Sequence, residues 1–110
     1  GHSNCGGVKG CIEMCRVHAP DLEEKSSFVG RWMDILKPRY ELVAAENDPA
    51  TQAQELEKHA VLVSLENLLT FPFVSEKVKS GALTLHGLWT DIGEGGLEYF
   101  NPDKQVFQPV

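Results

Sequence analysis

Gly1-His2-Ser3-Asn4-Cys5-Gly6-Gly7 opens the chain and places an imidazole and a thiol three positions apart, ahead of two glycines. Neutral imidazole and thiolate are ligands that zinc prefers, and a short loop can aim both at one ion. His2 and Cys5 are thus candidate Zn2+ ligands. They make half a site, because structural zinc takes four protein ligands and catalytic zinc usually three with one open position. Cys11 and Cys15, four apart in the next segment, offer one completion, a closed Cys3His structural site. Both also fall on an apolar helical stripe, where a thiol acts as a small buried hydrophobe.

The remaining polar residues suggest no rival centre. His18 and His59 read as solvated, and His86 as a packed strand residue with one nitrogen hydrogen-bonded. Glu13, Glu23, Glu24, Glu46, Glu55 and Glu57 show no convergent pattern, so paired-carboxylate catalysis has no support. Neither a phosphate-cradling glycine loop nor a Ser-His-Asp spacing is evident.

The elements that must position His2 and Cys5 follow from periodicity. Val8, Cys11, Ile12 and Cys15 mark a helix to about Val17, and residues 21–27 read as a loop. A helix capped by Ser26 or Ser27 carries Phe28, Val29, Trp32, Met33, Ile35 and Leu36 as a core-facing stripe. Pro38 starts a short helix ending near Asn47. Asp48-Pro49 then combines a cap residue with proline at the first helical position, opening a long helix to about Thr70. On it Ala53, Leu56, Ala60, Val61, Ser64, Leu65, Leu68 and Leu69 trace the buried face, with Gln52, Glu55, Lys58 and Glu66 off it. Pro72 starts a last short helix that stops at Ser80-Gly81. The period then falls to two: Leu83–Asp91 reads as a strand, 93–96 as a turn and Leu97–Phe100 as a returning strand. Asn101–Lys104 makes a second turn before a tail from Gln105 to Val110.

The 110 residues suit one domain, with 42% hydrophobic and 24% charged content. A formal net charge of −6 argues against a nucleic acid partner. Apolar runs fall short of the roughly 20 residues that span a bilayer, so no membrane partner is expected. Three cysteines crowded into the first fifteen residues suit a reducing, cytoplasmic compartment better than a disulfide framework. A lone hairpin needs neighbouring strands. The fold class expected is α/β, with helices and a C-terminal hairpin whose partner strands are absent from this sequence or supplied by another chain; the family resemblance described next implies that they lie upstream of Gly1 and that the hairpin completes a mostly parallel central sheet. Residues 1–110 would then form the C-terminal part of a single domain.

Gly-His-Ser-Asn-Cys-Gly-Gly followed by a helix resembles the second zinc motif of the β-class carbonic anhydrases, Gly-His-x-x-Cys-Gly-Gly. The run Val61–Val74, then Val78, Gly81, Leu83 and Leu85-His86-Gly87 up to Asp91, is similar to that family's long helix, Pro-Phe-Val segment and fourth strand. Phe28–Met33 resembles a helix of bacterial members. The resemblance implies zinc-dependent interconversion of carbon dioxide and bicarbonate, with His2 and Cys5 as two of three protein ligands. In the family the third is the cysteine of an upstream Cys-x-Asp-Ser-Arg motif, whose Asp-Arg pair positions the catalytic water; this sequence does not contain it. Gly6 and Gly7 would suit a pocket for a very small apolar substrate. The implied partners are the missing N-terminal portion and a second copy, in a homodimer or larger homo-oligomer. Thr90 stands where some members use a tyrosine for a non-catalytic bicarbonate site, so that site is not expected. A non-catalytic zinc-binding or scaffold relative that has lost the aspartate is the alternative.

Overall fold

A computed structural model describes residues 1–16 and 27–110. Its elements are α1 (Gly6–Arg16), α2 (Ser27–Asp34), α3 (Lys37–Val43), α4 (Pro49–Leu69), α5 (Pro72–Lys79), β1 (Leu88–Thr90), β2 (Leu97–Asn101) and β3 (Val106–Pro109). Of the loop expected over 21–27, residues 21–26 lie outside the described residues, as does the site of His18, and Ser27 belongs to α2 instead.

Helix α4 begins where Asp48-Pro49 predicts: the Asp48 carboxylate accepts the Thr51 amide at 3.1 Å, and Pro49 occupies the first turn. Helix α5 ends as expected, with Gly81 at φ 78° after Ser80. The core gathers Val8, Cys11, Ile12 and Met14 of α1, Met33 of α2, Leu36, Val43 of α3, and Leu56 and Val63 of α4. Met33 is core as expected, whereas Trp32 is half exposed.

Several readings of α4 change. Gln52, expected off the buried face, is buried and donates its side-chain amide to the Val43 carbonyl at 3.0 Å. Ser64, Leu68 and Leu69, expected on it, are exposed. His59 is half-buried rather than solvated, with Nδ1 lacking a hydrogen-bond partner among the described residues. Desolvation first, then the Arg39 charge, depresses its pKa, against an opposing contribution from Glu55.

The expected hairpin is a three-stranded antiparallel meander, ordered β1-β2-β3. The tail is its third strand, pairing Phe107 with Phe100 and Gln108 with Tyr99. The first strand is shorter than period-two alternation suggests, because alternation marks extended chain while a strand also needs a paired neighbour. Here regular pairing spans only Leu88–Thr90. His86 is exposed rather than packed. Among the described residues, parallel pairing is confined to one bridge, between His2 and Thr90.

Candidate metal centre

Gly1 to Ser3 lie extended beside β1. The Gly1 nitrogen donates to the Leu88 carbonyl at 2.9 Å, the Thr90 amide to the Gly1 carbonyl at 3.0 Å, and the Ser3 amide to the Thr90 carbonyl at 2.8 Å. Asn4 then takes φ 56°, a left-handed conformation that asparagine tolerates better than most residues. The chain swings directly into α1, where the Cys5 carbonyl accepts the Lys9 amide at 3.0 Å. His2 and Cys5 therefore flank a single strand-to-helix turn. Cys5 sits at the cap of α1, so a thiolate there places its charge at the positive end of the helix.

The His2 imidazole is exposed, with Nδ1 2.9 Å from the Ser3 carbonyl. An Nδ1–H donated to that carbonyl fixes the tautomer and leaves Nε2 as the bare nitrogen, the arrangement that metal-binding histidines adopt. Cys5 is half-buried and carries a free thiol. An imidazole nitrogen and a sulfur on one turn fit the borderline-soft donor preference of zinc.

The closed Cys3His reading does not fit. Cys11 is fully buried, with its Sγ 3.6 Å from the Met33 carbonyl. Burial and the neighbouring Cys15 push its thiol up to about 12. Among the described residues, no three His, Cys, Asp or Glu gather as a metal-binding group.

Gly6 and Gly7 differ from each other. A Cβ on Gly6 would meet nothing within 4 Å, but one on Gly7 would come within 2.2 Å of the Trp32 ring. Neither lines the cleft of about 590 Å³ on this side of the molecule, whose wall includes Ser3, Asn4, Glu57, Trp89 and Asp91.

Three residues around the turn escape a sequence reading. Glu57, in the middle of α4, is buried and accepts the Cys5 amide on Oε2 at 3.3 Å. Its signal was its place on the apolar stripe, four residues from both Ala53 and Val61. Ser3 donates its hydroxyl to Asp91 Oδ1 at 3.2 Å and accepts the Ile92 amide at 2.9 Å. Asp91 Oδ1 also takes the amides of Gly93 at 2.9 Å and Glu94 at 3.2 Å. The Glu94 amide and then the Gly93 amide hold this carboxyl below the usual carboxylate range against an opposing burial effect, with the Ser3 hydroxyl as the least of the contributions. The Asp-x-Gly spacing at 91–93 was the available sign of that turn.

A family model described as carbonic anhydrase matches residues 1–97. "Beta carbonic anhydrase 3" of Arabidopsis thaliana is 34% identical over 106 residues, covering 94% of this chain and 40% of the relative. The chain belongs to the β-carbonic anhydrase family. "Beta carbonic anhydrase 5, chloroplastic" of the same plant is 37% identical over 90 residues, or 79% of this chain and 28% of that one. The solved β-carbonic anhydrase CcaA has a similar fold, with a TM-score of 0.86 at 24% identity, over all of this chain and 52% of that one. This β-carbonic anhydrase chain thus spans less than half the length of the two plant relatives. Among its described residues no helix is long and apolar enough to cross a membrane.

Proposed function

We propose that the native protein is a zinc-dependent carbonic anhydrase, interconverting carbon dioxide and bicarbonate with release of a proton, and that His2 Nε2 and Cys5 Sγ are two of its metal ligands. The observation that carries this reading is the single strand-to-helix turn that holds both donors, with His2 Nδ1 already engaged by the Ser3 carbonyl. Family membership supplies the reaction class. Bound there, zinc supplies the Lewis acidity that makes hydroxide available near neutral pH.

The chain's own residues orient that chemistry. His2 presents one fixed tautomer, Cys5 brings a negative charge that makes the metal less acidifying than an all-histidine set, and Gly6 leaves open space beside them. Activity should accordingly favour neutral to alkaline pH. The third ligand and the Asp-Arg pair would come from an upstream Cys-x-Asp-Ser-Arg segment, and further strands would extend the sheet in parallel beyond His2. The His2 to Thr90 bridge supports that direction of pairing.

A homodimer or larger homo-oligomer is the assembly we assign. Supporting it is an apolar groove of about 420 Å³ lined by Trp32, Ile35, Leu68 and Phe71. Three free cysteines favour a reducing compartment such as the cytoplasm.

Zinc content and carbon dioxide hydration, measured on the native protein and on His2→Ala and Cys5→Ala, test the reading. Zinc and activity together in the native protein, with both lost in the variants, are expected. Unchanged zinc binding in both variants would sink the ligand assignment. Zinc without hydration would instead identify a non-catalytic relative.

A further inference from the structure

Charged side chains are rarely buried unless something is gained from their position. Glu57 lies on the core side of α4 at 4% exposure, yet its partner is the backbone amide of Cys5, 52 positions away. On the other side of the same turn, Asp91 holds the hydroxyl of the nearly buried Ser3. The Ser3 carbonyl in turn holds the His2 ring. Each candidate ligand is therefore tethered through a different carboxylate, one on α4 and one in the turn that follows β1.

We propose that Glu57 and Asp91 are positioning residues that clamp the His2–Cys5 turn in its ligating geometry, Glu57 through the Cys5 amide and Asp91 through Ser3. This rests on the zinc reading above. A turn carrying two ligands must present both donors at once, and a left-handed residue such as Asn4 gives it no rigidity of its own. The Glu57 contact fixes the backbone at Cys5. The Ser3 hydroxyl, bonded to both Asp91 and the Ile92 amide, fixes the backbone next to His2. Every contact of the clamp is made between groups of the chain itself, so folding can order the turn ahead of any ligand. Neither carboxylate needs to touch zinc or substrate. Their role is that of the outer partners that orient metal-ligating side chains.

The test uses the native protein with Ser3→Ala, Asp91→Asn, Glu57→Gln and Glu57→Leu. Zinc affinity is read by competition with a chelator, and the visible spectrum of the cobalt-substituted protein reports ligand geometry. Amide hydrogen exchange at Ser3 and Cys5 is followed in the metal-free protein. Expected is a loss of zinc affinity of roughly 10–100-fold in Ser3→Ala and Glu57→Leu, with an altered cobalt spectrum and faster exchange at the turn. Glu57→Gln and Asp91→Asn keep an oxygen acceptor and should stay near the native affinity. Native affinity, spectrum and exchange in Ser3→Ala together with Glu57→Leu would overturn the clamp. So would a Glu57→Leu protein that fails to fold while Ser3→Ala and Glu57→Gln both behave as native, because Glu57 would then serve the core alone. Failure of the zinc reading looks different: His2→Ala would bind zinc as the native protein does, while faster exchange in Ser3→Ala still reports the tether.

Discussion

Gly7 lies so close to Trp32 that a Cβ on the glycine would come within 2.2 Å of the indole ring. The close approach seats α1 against α2 immediately behind Cys5. Gly7→Ala should therefore destabilise the fold by about 1–3 kcal/mol through overpacking, and Trp32→Ala in the same chain should recover much of that loss. Gly6→Ala should leave stability unchanged, since nothing lies within 4 Å of its added carbon. Equilibrium denaturation of the four proteins checks both statements. Carbon dioxide hydration separates the glycines further: a fall in turnover with Gly6→Ala at native stability places Gly6 at the substrate pocket, and native turnover removes it.

Local features of this chain were legible in its sequence, and distant ones were not. The Asp48 cap with Pro49 and the stop at Ser80-Gly81 each depend on residues within one turn. The His2–Cys5 pair was visible for the same reason. Glu57 was read as one more helix charge because its partner is 52 positions away, and only folding brings α4 under the turn. The third strand was read as a tail because β3 exists only by pairing with β2. Its sequence offers just Val106 and Phe107 between Gln105, Gln108 and Pro109, and the Phe100 to Phe107 ring contact at 5.4 Å appears only once the strands meet.

Gln52 shows the same limit and gives a second prediction. Its amide closes the space between α3 and α4 by donating to the Val43 carbonyl. Gln52→Ala removes a buried hydrogen bond and buried volume, and should cost about 1–3 kcal/mol. Gln52→Leu should cost less, because it keeps the volume and the Glu46 amide still serves the Val43 carbonyl at 3.1 Å. Urea denaturation midpoints will rank the three proteins; a leucine variant less stable than the alanine variant would contradict this account.

His59 makes stability depend on pH. Its pKa in the folded protein lies below the ordinary 6.5, chiefly through desolvation. The unfolded chain therefore binds the proton more readily, and linkage makes stability rise with pH wherever that holds. The contribution is complete above about pH 6.5 and is lost as pH falls towards the depressed folded value. His59→Gln, which does not titrate, should show a flatter stability profile across this window than the native protein. Thermal unfolding at a series of pH values checks it, and parallel profiles would place the pH dependence elsewhere.

Cysteine reactivity distinguishes the three thiols. Cys11 is fully buried in the core, and burial, followed by the neighbouring Cys15, pushes its pKa up to about 12. The thiolate is the nucleophile in alkylation, so Cys11 stays protonated and shielded at pH 8. Cys5 and Cys15 are only partly buried. In the metal-free folded protein, iodoacetamide should label Cys5 and Cys15 well before Cys11, as read by mass spectrometry of the digested chain. Added zinc should protect Cys5 alone, because only that thiol belongs to the proposed ligand turn. Protection of Cys11 and Cys15 together with Cys5 would revive the closed Cys3His site that the buried position of Cys11 argues against.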